Sequence, residues 1–118
     1  MILSGHQPNY LPYPGIFAKI NYSDSFIFVT KVQLERKSWQ TRNKIFNLNK
    51  YLTIPIIHNG LSIKICEVRI DNTKLWKDKH FNSIYFTYKK SVYFKKYIKF
   101  FEKFYAKNWE YLSELNIF

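Results

Sequence analysis

The sequence holds a single cysteine, Cys66, among its 118 residues. One thiol cannot build a disulfide framework within the chain, nor a cysteine-rich zinc module. Glycine and proline are scarce as well, 3 and 4 in all, and most of them fall in one loop, so no linker or low-complexity segment is present. No apolar run approaches the roughly 18 residues of a membrane span. The opening Met1-Ile2-Leu3-Ser4-Gly5-His6 lacks the basic start and long apolar stretch of a signal peptide. The expectation is a reduced, cytoplasmic, soluble chain with no membrane span. What abounds is aromatic: 10 Tyr and 11 Phe exclude disorder by composition. A single domain over residues 1–118 is expected, long enough to bury roughly 65% of its unfolded surface.

Acidic residues are also few, 8 against 19 Lys and Arg, which leaves a formal net charge of +11. The excess is not spread evenly. It lies in residues 31–50 and 79–107, whereas residues 1–30 are neutral overall and the last eleven are net acidic. Such blocks raise the on-rate of anionic partners, whether nucleic acid, phospholipid or nucleotide phosphate. Composition does not choose among these, and Lys-rich usage is also what an AT-rich genome produces.

Ile2-Leu3-Ser4 can serve as a first strand. It runs into Gly5-His6-Gln7-Pro8-Asn9-Tyr10-Leu11-Pro12-Tyr13-Pro14-Gly15, an ordered loop because Pro removes donors and Gly permits φ > 0. Ile16, Phe17 and Ile20 follow helical spacing until Ser23-Asp24-Ser25. Phe26-Ile27-Phe28-Val29 has the length and composition of a strand buried on both faces. In residues 31–50, Trp39 and Ile45 are the candidate anchors. Tyr51–Ile57 is a strand that Pro55 pushes to an edge or bulge, and His58-Asn59-Gly60 is a turn signal. In Ile63–Ile70 the alternation changes phase between Ile65 and Val68, which predicts a bulge. Asp71-Asn72-Thr73 offers an N-cap for a helix with Trp76, His80, Ile84 and Tyr88 on one face. Phe94, Tyr97, Phe101, Phe104 and Tyr105 make a second apolar stripe, with lysines opposite. The fold expected is α/β: a Rossmann-like βαβ opening, a small mixed sheet and C-terminal amphipathic helices. Strands are placed near 2–5, 26–30, 51–57 and 63–70, and helices near 15–22, 74–88 and 92–107.

The loop places one imidazole, His6, at the carboxyl end of a strand, where open α/β sheets hold ligands. A histidine there can bind a phosphate oxygen or act as a general acid; alternatively it hydrogen-bonds the loop and holds its shape. Gln7 and Asn9 add neutral donors. A second cluster runs from Lys37 to Lys44. There Arg42 offers a bidentate fork for phosphate or carboxylate, and Trp39 a stacking face for a base or sugar. The alternative is a solvated basic connection with Trp39 packed inward. His80 fits a packing role, Cys66 on a strand fits a buried inert thiol, and three separated histidines make no zinc pattern. No P-loop, dinucleotide fingerprint or nucleophile elbow is present. The chain names no cofactor.

The run His6-Gln7-Pro8-Asn9-Tyr10-Leu11-Pro12, then Gly15, Phe17, Lys19 and Ile20, resembles the opening signature of the WbqC-like protein family. Val32-Gln33, Trp39-Gln40, Arg42-Asn43, Ile45 and Leu52-Thr53-Ile54-Pro55 continue the likeness in order. So do Trp76, His80, Tyr88 and Tyr93-Phe94-Lys95-Lys96-Tyr97. The resemblance implies a place in bacterial surface-polysaccharide (O-antigen) biosynthesis, with transferase chemistry, including attachment of glycine to a sugar, proposed for the family. On this reading His6 is the catalytic candidate, and Gln7, Asn9, Tyr10, Trp39, Arg42 and Asn43 meet a nucleotide-sugar or other small-molecule substrate. Tyr13 stands where members usually have Trp. Thr30 and Lys31 stand where many have an acidic pair. Members are also roughly twice as long, so the chain corresponds to the N-terminal half, either as a short member or as a fragment whose missing half or partner chain holds part of the site. The competing reading is a non-catalytic basic module that contacts nucleic acid through the lysines of residues 89–107.

Overall fold

The computed structural model describes residues 1–35, 37–46, 50–57 and 63–118, so the turn expected at His58-Asn59-Gly60 lies outside the described residues. The chain is α/β. Strand β1 (Leu3–His6) pairs in parallel with β2 (Ser25–Phe28), and helix α1 (Pro14–Tyr22) crosses between them. This is the βαβ opening. Pro14 starts α1, where its missing N–H costs nothing. Gly15 follows it because a Cβ there would lie 2.2 Å from the Tyr13 ring. Asp24 then receives the Ile2 N–H at 2.6 Å and ties the helix exit to the start of β1.

A second, antiparallel pair joins β3 (Arg42–Asn43) to β4 (Leu52–Thr53). Among the described residues the small sheet is thus two separate two-stranded pairs. β2 is not buried on both faces: its burial alternates, with Phe26 and Phe28 half-buried and Ile27 53% exposed, because only one face of the pair is covered. Residues 63–70 form no continuous strand either. The phase change between Ile65 and Val68 marks a 3₁₀ turn (Ile65–Glu67), where the Val68 N–H returns to the Ile65 carbonyl at 3.3 Å. On either side only single bridges remain, Gln33 with Lys64 and Ile56 with Ile70.

Helices α2 (Lys77–Tyr88) and α3 (Phe94–Ala106) pack against each other, and a short α4 (Leu112–Ile117) closes the chain. Asp71-Asn72-Thr73 does not cap α2, which begins at Lys77 after Trp76. Instead Asp71 accepts hydrogen bonds from the backbone N–H and hydroxyl of Thr73, an Asx turn that holds its carboxyl below the usual range. Of the face spaced by four, Trp76 just before α2 and His80 and Ile84 within it are buried, and Tyr88 packs half-buried against the core. On α3 only Phe104 and Tyr105, at the C-terminal end of the stripe, are buried. The buried cluster gathers Tyr10, Leu52, Ile54, Val68, Trp76 and Leu112 with their neighbours. Among the described residues no helix is long and apolar enough to cross a membrane.

Candidate functional site

The loop after β1 is held by side chains of the basic segment. Tyr10 donates its N–H to the Trp39 carbonyl at 2.9 Å. Asn43 donates its amide to the carbonyls of Leu11 at 2.7 Å and Tyr10 at 3.3 Å. Leu11 has φ 46°, a left-handed conformation that costs a branched residue of order 1 kcal/mol or more, so the Asn43 clamp holds strained backbone. The Gln40 amide donates to the Gln7 side-chain oxygen at 2.5 Å. From the far end of the chain, Asn116 donates to the Gln40 carbonyl at 2.8 Å and the Pro8 carbonyl at 3.2 Å. Residues 7–11 and 39–43, drawn from the two sequence clusters, therefore form one ledge, to which α4 adds Asn116.

Three side-chain oxygens of this ledge are orphaned. Asn9 Oδ1, Gln40 Oε1 and Asn116 Oδ1 are buried and accept no hydrogen bond from the described residues. For Asn116 the assignment of oxygen and nitrogen is fixed, since its other terminus faces two carbonyls and must be the amide nitrogen. Asn9 is only 5% exposed. An unpaired buried carbonyl costs about 1–3 kcal/mol, so three in one place mark where donors are missing.

The ledge borders an open cleft of about 780 Å³ between α1 and the loop on one side and α3 and α4 on the other. Its walls are largely aromatic and aliphatic, among them Phe17, Ile20, Phe94, Phe101 and Phe118. Its polar lining includes Gln7, Asn9, Lys44 and Asn116. Beside the cleft, the Arg42 guanidinium lies 3.9 Å from the centre of the Tyr51 ring, and Lys44 Nζ lies 4.8 Å from it. Trp39 leans against the same ring with centroids 6.2 Å apart. It is 52% exposed, so it is a surface aromatic rather than the core anchor expected from its position. Ile45 does pack on the core.

The remaining candidates separate. His6 ends β1 outside the cleft lining. Its Nδ1 lies 2.7 Å from the Gln7 carbonyl and so carries the proton, which leaves Nε2 as the acceptor of the neutral ring. Tyr10 is fully buried, and its hydroxyl is taken up by the core. His80 Nε2 donates to the Thr53 carbonyl at 3.1 Å, so Nδ1 accepts from the Tyr10 hydroxyl at 2.8 Å. The Tyr105 hydroxyl in turn bonds the Tyr10 oxygen. Burial pushes the His80 imidazole down to about 4 and raises Tyr10 and Tyr105 above the usual tyrosine range. Among the described residues no three His, Cys, Asp or Glu side chains converge as a metal site would require. Gln40, Tyr51 and Asn116 were not singled out by sequence. Gln40 carried a signal, as the neighbour of Trp39 in the matched pair, whereas nothing at the chain end marked Asn116.

The profile of the WbqC-like protein family matches residues 7–118. The uncharacterized protein Rv1507c of Mycobacterium tuberculosis is 32% identical over 91 residues, covering 75% of this chain and 39% of the relative. The chain thus spans well under half the length of that relative. No solved structure matches.

Proposed function

The chain belongs to the WbqC-like protein family, and on that premise we propose that it serves bacterial surface-polysaccharide (O-antigen) biosynthesis. Its role would be the substrate-binding part of a transferase that acts on a nucleotide-activated or phosphate-bearing sugar donor. Transfer of an aminoacyl group such as glycine to a sugar is the finer form of this reading. The observation that carries it is the ledge. Hydrogen bonds from Gln40 and Asn43 bring an amide-rich loop and the Arg42–Tyr51–Trp39 group into one surface beside a cleft. Arg42, stacked on Tyr51, keeps its N–H edge for phosphate oxygens. Trp39 has an open face for a base or a sugar ring. Gln7, Asn9 and Asn116 meet hydroxyls. His6 lies at the end of β1 outside the cleft lining, and it stays the candidate for proton transfer, with Nε2 as acceptor while Nδ1–H is engaged by the Gln7 carbonyl. Because the chain covers 39% of the relative's length, the complete reaction is assigned to an assembly with a further segment or partner chain.

The test is binding of a uridine diphosphate sugar. Arg42→Ala is expected to weaken it by about tenfold, as loss of a charge-assisted pair does, while Lys95→Ala on the outer face of α3 changes it less than about twofold. Equal losses at both positions, with affinity for a random oligonucleotide falling steeply in salt, would replace this reading by the nucleic-acid module.

A further inference from the structure

Arg42 and Lys44 are two cations without a counter-ion in the chain. All 8 acidic residues are among the described ones, and the one ion pair found there joins Arg69 to Glu110 at 3.5 Å. Strand alternation puts both side chains on the side of β3 away from Asn43, whose amide clamps the loop. The register of β3 with β4 brings Tyr51 across from Lys44. Arg42 Cζ at 3.9 Å and Lys44 Nζ at 4.8 Å share the centre of its ring. The two charges therefore lie within about 9 Å of one another, roughly a Debye length at physiological salt. They repel each other unless an anion joins them, since the ring attracts each cation and neutralises neither.

The group also has a direction. Trp39 leans on the Tyr51 ring with centroids 6.2 Å apart and is 52% exposed, whereas Lys44 lines the cleft. From Trp39 through Arg42 to Lys44, the surface runs from a stacking face, past a planar fork, to a point charge at the cleft. We infer that Arg42 and Lys44 read the two phosphates of a nucleoside diphosphate in order. Arg42 holds the inner phosphate, next to the ribose, and Lys44 the outer one, with the base on Trp39 and the outer substituent directed to the cleft. A single phosphate meets one of these cations; a diphosphate is long enough to meet both, with a charge-assisted hydrogen bond of about 2.8 Å at each end. The rigid fork suits a phosphate fixed by a stacked base, and the flexible ammonium suits the outer one. Tyr51 acts here as a positioning residue for both cations. This inference rests on the nucleotide-sugar reading above and adds to it which cation reads which phosphate.

The experiment is calorimetric titration of the 118-residue chain with uridine monophosphate, uridine diphosphate and inorganic pyrophosphate. The diphosphate is expected to bind about fivefold or more tighter than the monophosphate, the value of one further charge-assisted contact. Lys44→Ala should remove that advantage, weakening the diphosphate about fivefold and the monophosphate less than about twofold. Arg42→Ala should weaken both nucleotides about tenfold. Trp39→Leu should weaken both nucleotides and leave pyrophosphate unchanged. Tyr51→Leu should weaken the diphosphate, whereas Tyr51→Phe, which keeps the ring, should bind like the parent. Equal losses of mono- and diphosphate in Lys44→Ala would overturn the inference, and so would a parent that binds the two nucleotides equally. In either case dependence on Arg42 leaves the nucleotide-sugar reading standing. Pyrophosphate weakened by Trp39→Leu as much as the nucleotides are would overturn the placing of the base. Nucleotide binding indifferent to Arg42→Ala, or absent altogether, overturns both the inference and the reading beneath it.

Discussion

Acidification is expected to weaken the fold through one residue, His80. Its ring is 2% exposed and its imidazole is held at about 4 instead of 6.5, mainly by desolvation. Below pH 6.5 the unfolded chain takes up a proton at this position, and the folded chain does not do so until about pH 4. The contribution is therefore fully present above 6.5 and is lost as pH falls through that window. The gap is worth about 3 kcal/mol, a large share of the ~5–15 kcal/mol that holds a domain of this size. Asp71 is shifted too, with its carboxyl below its ordinary 3.8, so its contribution is lost at lower pH than that of His80.

The assay is urea unfolding at a series of pH values from about 7 to about 4.5, with the histidine Cε1–H resonances followed in parallel. In His80→Gln the amide can still donate to the Thr53 carbonyl, but the residue no longer titrates. The variant is expected to be less stable at neutral pH and to show a much flatter pH dependence between 6.5 and 4. A parent chain whose stability is flat across that range would refute the reasoning. So would a His80 resonance that titrates near 6.5, or an unchanged slope in the variant.

Tyr10→Phe removes the hydroxyl between His80 and Tyr105 and leaves the buried Nδ1 of His80 without its donor; a loss of about 1–3 kcal/mol in urea unfolding is expected. Leu112→Ala, at a position with no exposure, should cost about 3 kcal/mol by emptying space under α4, against less than about 0.5 kcal/mol for an exposed change such as Lys99→Ala. Asn43→Ala frees the Tyr10 and Leu11 carbonyls and should cost about 1 kcal/mol, with faster proteolysis in loop 7–13 as the local sign that the clamp has opened.

Where periodicity and turn chemistry act locally, sequence was a good guide. The βαβ opening followed from an apolar start, a Pro/Gly loop and a four-residue β-prone run, and the buried face of α2 followed from spacing by four. It failed where the outcome depends on how many neighbours an element finds. Phe26–Val29 has the composition of a central strand, yet β2 has one partner and Ile27 stays exposed. Residues 63–70 carry β-branched alternation, but the phase change became a 3₁₀ turn whose backbone groups pair with residues 30–34 and 110–112. Helix α4 was missed because six residues are too few for a periodic signal, and its Leu112 and Leu115 are buried by tertiary contacts alone. The same holds for the site. Arg42, Trp39, Gln7 and Asn9 could be chosen by chemistry, whereas Asn116 reaches the ledge from 108 residues beyond Pro8, a contact no local pattern encodes.

The run His6–Pro12, which carries the family resemblance, is not divided into a structural part and a functional part. Pro8 and Tyr10 are essentially fully buried, and Asn9 is nearly so. Tyr10 spends its hydroxyl on His80 and its N–H on Trp39. Leu11 sits in a left-handed conformation clamped by Asn43. These are the costs of holding a loop rigid, and a rigid loop is what presenting polar groups in fixed positions requires. A tyrosine locked into the core at residue 10 fixes the backbone on which Gln7 and Asn9 present their amides. If the run holds a ligand, Tyr10 acts there by positioning the backbone, since its hydroxyl is already bonded to His80 and Tyr105.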